Sequence, residues 1–149
     1  MSISVKGSAL KLLSIKLVFW AGVVLGVSLI ATPAKFFAPH LEMPVALEVG
    51  KATFHIFNKV EWIICMGILA LTFISKGSLF RWIFIGSLVA LLSLKTFYLL
   101  PALDIRANRV IAGGIPQPGI LHWLYIIADI LQVTSALLGA WWLMNQEKR

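Results

Sequence analysis

The chain has 149 residues, 60% of them apolar and 13% charged, with thirteen Lys and Arg against six Asp and Glu for a net charge of +7. Soluble domains run at about 45–50% apolar and about a quarter charged, so a water-soluble fold, a disordered chain and a typical DNA-binding domain are excluded; the mean hydropathy of +0.93 agrees. The single cysteine, Cys65, excludes an internal disulfide, a CxxC redox pair and a multi-thiolate metal site. What remains is one integral membrane domain whose basic residues flank its spans, with no nucleic-acid partner.

Four long apolar segments follow along the chain. Leu17 to Ala34 is uncharged between Lys16 and Lys35, and the first span covers roughly residues 12–34. The second, Trp62 to Ser75, is too short alone for the ~20 residues that a ~30 Å hydrocarbon core requires. Counting in His55 to Glu61 gives a span of about 52–75 and places those polar residues in or near the membrane. The third, about 79–100, contains Lys95, and the fourth, about 121–144, contains Asp129. The expected fold class is therefore an all-α, four-helix transmembrane bundle.

The connections fit four helices. Lys76-Gly77-Ser78 is a tight polar link, and Gly113 to Gly119 is a breaker cluster ahead of the last span. Thr32-Pro33 ends one helix and Met43-Pro44 starts another, which runs on into the second span. A short amphipathic segment is expected over Phe36 to Pro44, a kink or stop at Pro101, and a short surface helix over Asp104 to Val110. Lys6, Lys11, Lys16, Lys76, Arg81, Lys148 and Arg149 fall on one side, against Lys35, Lys51, Arg106 and Arg109 on the other. By the positive-inside rule both termini are cytoplasmic. Trp20, Trp82, Trp141 and Trp142 read as one aromatic belt and Trp123 as the other. The basic stretch from Lys6 to Lys16 resembles a signal-peptide n-region, but with three further spans the first helix is expected to be retained. The expected location is the bacterial inner membrane.

Ionisable residues inside spans carry the functional information. One charge at a helix centre costs about 2.5–3.5 kcal/mol on the insertion scale. Lys59 and Lys95 against Glu61 and Asp129 make a balanced set in the outer half of the bundle. His55, Asn58 and Glu61 form a stripe on the second helix; His122, Tyr125, Asp129 and Gln132 form one on the fourth; Lys95 and Tyr98 form a shorter one on the third. Pointing all three inward joins Lys95 to Asp129, Glu61 or both. The predicted ligand-binding residues are His55, Asn58, Glu61, Lys95, Tyr98, His122, Tyr125 and Asp129. The plain alternative is an ion-pair network that only fixes helix register.

His55 and His122 also suggest a pair of haem b ligands, or a divalent metal site with Glu61 or Asp129; the plain alternative is two hydrogen-bonded boundary residues. His40 with Met43 adds a weak soft-metal contact. No HExxH, GxSxG or phosphate-binding glycine loop is present, so no enzyme motif and no resident cofactor are expected. Gly22/Gly26 and Ser135/Gly139, with Ala136 and Ala140, allow close helix approach, within the bundle or in a homo-oligomer or larger membrane complex.

Phe19-Trp20-Ala21-Gly22, Phe54-His55-Ile56-Phe57-Asn58, Leu100-Pro101-x-Leu103 with Arg106, and His122 together give a pattern over roughly residues 10–145. It resembles the transmembrane protein 205-like family of small four-helix membrane proteins. The resemblance implies a compact four-helix membrane fold and no established reaction. A thinner similarity is to haem-handling four-helix membrane proteins, but the histidine they carry in the first span has no counterpart between Leu12 and Pro39. The expected function is non-enzymatic: a polar, charge-paired site in the outer half that binds or passes a small ligand or ion, or an accessory subunit of a membrane complex. The alternatives are a haem b or metal redox protein using His55 and His122, and a purely structural subunit.

Overall fold

A computed structural model describes residues 3–115 and 119–147, so Pro116 to Pro118 of the breaker cluster, and Lys148 and Arg149 of the charge count, lie outside the described residues. Four helical stretches are long and apolar enough to cross a membrane, and the described residues form no strand. The first consists of α1 (Ile3–Val24), a π-helical turn (Leu25–Ala31) and a last turn (Thr32–Ala34). The second is one 32-residue helix, α2 (Met43–Ile74). The third is α3 (Leu79–Leu94), a π-helical turn (Lys95–Leu99) and α4 (Leu100–Ile111); the fourth is α5 (Ile120–Glu147).

Both π turns have the same cause. The N–H groups of Thr32 and Leu100 each reach the carbonyl five residues back, on Val27 and Lys95, and the residue that follows each is proline. A proline in a continuing helix lacks an N–H and collides with the carbonyl four residues back. Widening the turn before it moves that carbonyl aside, so the helix continues. Pro101 accordingly does not stop the helix, and Asp104 to Val110 form no separate helix: α4 carries the third helical stretch on to Ile111. Pro44 starts α2 in its first turn, where no N–H is required. Between Ala34 and Met43 the chain makes a 3-10 turn (Lys35–Phe37), then a bend closed by Leu41 N–H donating to Ala38 O at 3.2 Å.

Two helices end in the same capping motif. Gly77 N–H donates to Thr72 O and Lys76 N–H to Phe73 O; Gly114 N–H donates to Arg109 O and Gly113 N–H to Val110 O. Lys76 and Gly113 are the left-handed residues of these caps, at φ 48° and 89°. The Ser78 side chain then caps α3 by accepting from Arg81 N–H.

Successive helices run antiparallel. Contacts pair Trp20 with Glu61, Phe73 with Trp82, Asn58 with Thr96, Phe80 with Trp142 and Lys95 with Gln132, so numbers fall along one helix as they rise along the next. The Ser75–Ser78 turn lies at the proximal end of the bundle; residues 35–43 and 111–120 lie at the distal end. The core joins Leu13 and Leu17 of α1, Ile64 and Ile68 of α2, Leu88 of α3, and Ala136 and Ala140 of α5. Contact is most extensive between α1 and α5, where the two alanines let the backbones approach. Gly139 is covered within the chain by the Phe84 ring, whereas Gly22 and Gly26 meet nothing.

The outside is as apolar as the inside. Ile15, Phe19, Ile63, Phe73, Ile83, Phe97, Leu138 and Trp141 are all exposed. Apolar exposure on this scale, on helices of this length, belongs against lipid. The chain is an integral membrane protein.

Candidate functional site

Lys95 opens the π turn between α3 and α4 and points into the bundle, where it is fully buried with Glu61 and Asp129. Its ammonium lies 2.9 Å from both Glu61 carboxylate oxygens, 3.1 Å from Gln132 Oε1 and 2.6 Å from Asp129 Oδ1. Glu61 Oε1 also accepts from Gln132 Nε2 at 2.6 Å and from Trp20 Nε1 at 3.2 Å. Every transmembrane stretch thus contributes to this cluster: Trp20 from the first, Glu61 from the second, Lys95 from the third, and Asp129 and Gln132 from the fourth. The Phe57 and Tyr125 rings flank the fully buried ammonium at 5.2 and 5.3 Å, adding cation–π attraction.

The two carboxylates are not equivalent. Glu61 collects N–H donors from three residues, while Asp129 is held by charge and proximity to Lys95 alone, its oxygens accepting no directed hydrogen bond among the described residues. The expected balance of signs is also not found. Lys59 is exposed, on the face of α2 shared with Ile56 and Ile63, because the buried positions run Phe57, Asn58, Glu61, Ile64, Cys65. Its long stem suits a lipid-facing position from which the ammonium reaches the boundary. The buried set is therefore one ammonium and two carboxylates, with the Trp20 and Gln132 N–H dipoles aimed at the better-supported carboxylate.

Asn58 is buried one turn away. Its amide and the Trp62 indole both donate to Thr96 Oγ1 at 2.9 Å, and Thr96 in turn donates to Leu92 O. Tyr98 does not join the cluster. Widening the turn after Lys95 swings position 98 outward and brings Leu99 over the core, so Tyr98 is exposed and Leu99 buried. Trp20 is no belt residue either: it is buried, and its indole N–H is used inside the bundle. Trp123 and Trp141 are exposed, as a belt requires.

The remaining predicted residues lie further toward the distal end. His55 Nε2 is 2.7 Å from Asp104 Oδ2, tying α2 to α4 beside a second tie, Lys51 Nζ to Asn108 Oδ1 at 2.7 Å. His122 lines an open cavity of about 780 Å³ between α2, α4 and the loop after it, the start of α5 and the end of the first stretch. Met43, Leu47, Phe54, Leu100, Leu103 and Val110 give the cavity its apolar wall. Lys35, Lys51, Arg106 and Arg109 are its cationic side chains and Asp104 its carboxylate. Two of the cations lie against backbone: the Lys35 ammonium and the Arg106 guanidinium occupy the places where a Cβ would stand on Gly50 and Gly119. Partial burial pushes the Lys35 pKa below the ordinary lysine value.

The polar region that the sequence indicates is thus two sites. One is a sealed ion-pair cluster; the other is an open, basic, apolar-walled cavity. They share no lining residue, and of the predicted ligand-binding residues only His122 lines the cavity. Comparison with protein families, with curated proteins and with solved structures gives no match to this chain.

Proposed function

We propose that this is a non-enzymatic integral membrane protein that binds a small ligand in the distal cavity, with the Lys95–Glu61–Asp129 cluster as the polar keystone that fixes the four stretches around it. One observation carries the reading: a cavity of about 780 Å³ with an apolar wall and convergent polar groups, the usual form of a small-ligand site. The sealed cluster supplies what such a cavity needs, a rigid floor. Phe54 belongs to the cavity wall and packs edge to face on Tyr125 at 5.1 Å, and Tyr125 lies over Lys95.

Within this proposal the termini are cytoplasmic and the cavity opens on the outer side of a bacterial inner membrane, supported by the seven-to-four division of Lys and Arg. The resemblance to the transmembrane protein 205-like family implies the same kind of fold and adds no reaction. The haem or metal alternative has less behind it, because His55 Nε2 is already engaged by Asp104. An oxidised-minus-reduced spectrum of purified protein tests it: a stoichiometric haem band lost in both His55→Ala and His122→Ala would establish it.

Native mass spectrometry from mild detergent tests the main reading. Wild-type protein is expected to retain a small molecule that Ala107→Trp, which fills the cavity from α4, does not retain. Equal retention by both, or none by either, contradicts it.

A further inference from the structure

We infer that the distal cavity takes the headgroup of an anionic membrane lipid, its phosphate held by Lys35, Lys51, Arg106 and Arg109 and its chain laid on the apolar wall. This rests on the proposed binding function and names the ligand class. Charge is the first argument. Four cationic side chains and His122 line the cavity against one carboxylate, Asp104, which is already shared with His55. A phosphate answers such a set with charge-assisted hydrogen bonds, and arginine's planar fork grips it in two places.

Depth is the second argument. Helix α2 and the third stretch have 32 and 33 residues, about 48–50 Å long at 1.5 Å per residue against a hydrocarbon core of ~30 Å. The excess lies at the distal end. There α2 carries Glu48, Lys51 and His55 and α4 carries Asp104, Arg106 and Arg109, while the proximal part of α2 from Trp62 to Ile74 has no charge. The cavity formed by these overhanging turns sits at headgroup level, with Leu47, Phe54 and Leu103 facing the first carbons of a chain.

Closeness is the third argument. The absence of a Cβ at Gly50 and Gly119 lets the Lys35 and Arg106 head groups settle onto the walls instead of filling the space. A soluble anion would use the cations alone, and a neutral lipid the wall alone. An anionic lipid uses both.

The test is native mass spectrometry of the full chain in dodecyl maltoside, titrated separately with phosphatidylglycerol, phosphatidylcholine and inorganic phosphate. Phosphatidylglycerol is expected to bind one to one and in preference to phosphatidylcholine, with phosphate at the same concentration failing to displace it. Arg109→Gln is expected to weaken phosphatidylglycerol about tenfold, the loss of one hydrogen bond to a charged group, and to leave the melting temperature without lipid unchanged. Arg106→Lys, which keeps the charge and removes the fork, is expected to weaken it less. Equal binding of the two lipids, or no loss in Arg109→Gln, overturns charge recognition. Displacement by phosphate overturns the lipid and leaves a soluble-anion site. Binding of none of the three overturns the lipid assignment, while Ala107→Trp separately decides whether the cavity binds anything.

Discussion

Phe54 and Tyr125 meet edge to face with ring centroids 5.1 Å apart, and this contact is the partition between the cavity and the ion-pair cluster. Phe54 lines the cavity on one side; Tyr125 flanks the Lys95 ammonium on the other. A basic, open compartment and a closed, carboxylate-rich one thus lie back to back on the same helices. Phe54→Ala removes the partition. It is expected to admit water to the cluster and to destabilise the fold by about 3–5 kcal/mol, the usual cost of deleting a packed aromatic ring. Hydrogen exchange of the Trp20 indole, faster in the variant than in wild type, would report the water.

The cluster predicts an order of effects. Glu61→Gln removes the charge that collects donors from Lys95, Gln132 and Trp20, so it is expected to cost about 3–5 kcal/mol, as for a broken buried pair. Asp129→Asn leaves Lys95 with Glu61 and Gln132 and is expected to cost less. Thermal melts in detergent measure both; equal losses, or the reverse order, contradict the inequivalence of the two carboxylates.

Lys95→Met leaves two buried carboxylates without a cation and is expected to abolish accumulation of folded protein. Adding Glu61→Gln and Asp129→Asn removes the uncompensated charge and is expected to restore much of it, because a buried amide costs far less than a buried charge without a counter-ion. Size-exclusion profiles of the single and triple variants decide the matter. A triple variant no better than Lys95→Met would show that the fold requires the charged network itself, and not merely the absence of an unpaired charge.

Gly139 and Gly22 separate packing within the chain from packing between chains. A Cβ at Gly139 meets the Phe84 ring, so Gly139→Ala is expected to cost about 1–3 kcal/mol by overpacking. Gly22 meets nothing, and Gly22→Ala is expected to be neutral or to stabilise by up to about 1 kcal/mol through helix propensity. Destabilisation by Gly22→Ala, with a smaller particle in detergent, would place a second copy on that face.

Much of this was legible in the sequence where a residue violated its surroundings. Glu61, Lys95 and Asp129 are charges in apolar runs, and their meeting follows from the cost of leaving them alone in lipid. Asn58 follows from the same helical stripe. Tyr98 does not, because its face depends on a π turn, and the signal for that turn was Pro101 two residues past Leu99. Trp20 resembles any boundary tryptophan until Glu61 is found beside it. The cavity was the least legible feature, since Lys35, Gly50, Arg106 and Gly119 converge from four segments and look individually like flanking charges and ordinary glycines.

The most direct measurement uses the chain's own thiol. Cys65 is buried, one turn from Glu61 on α2, and reports the sealed compartment; Ala107→Cys reports the cavity. With a small water-soluble maleimide, folded wild-type protein is expected to remain unlabelled and Ala107→Cys to take up one label, with Cys65 reacting only after denaturation. Labelling of Cys65 in the folded protein as fast as that of Ala107→Cys would contradict the division into a sealed cluster and an open cavity.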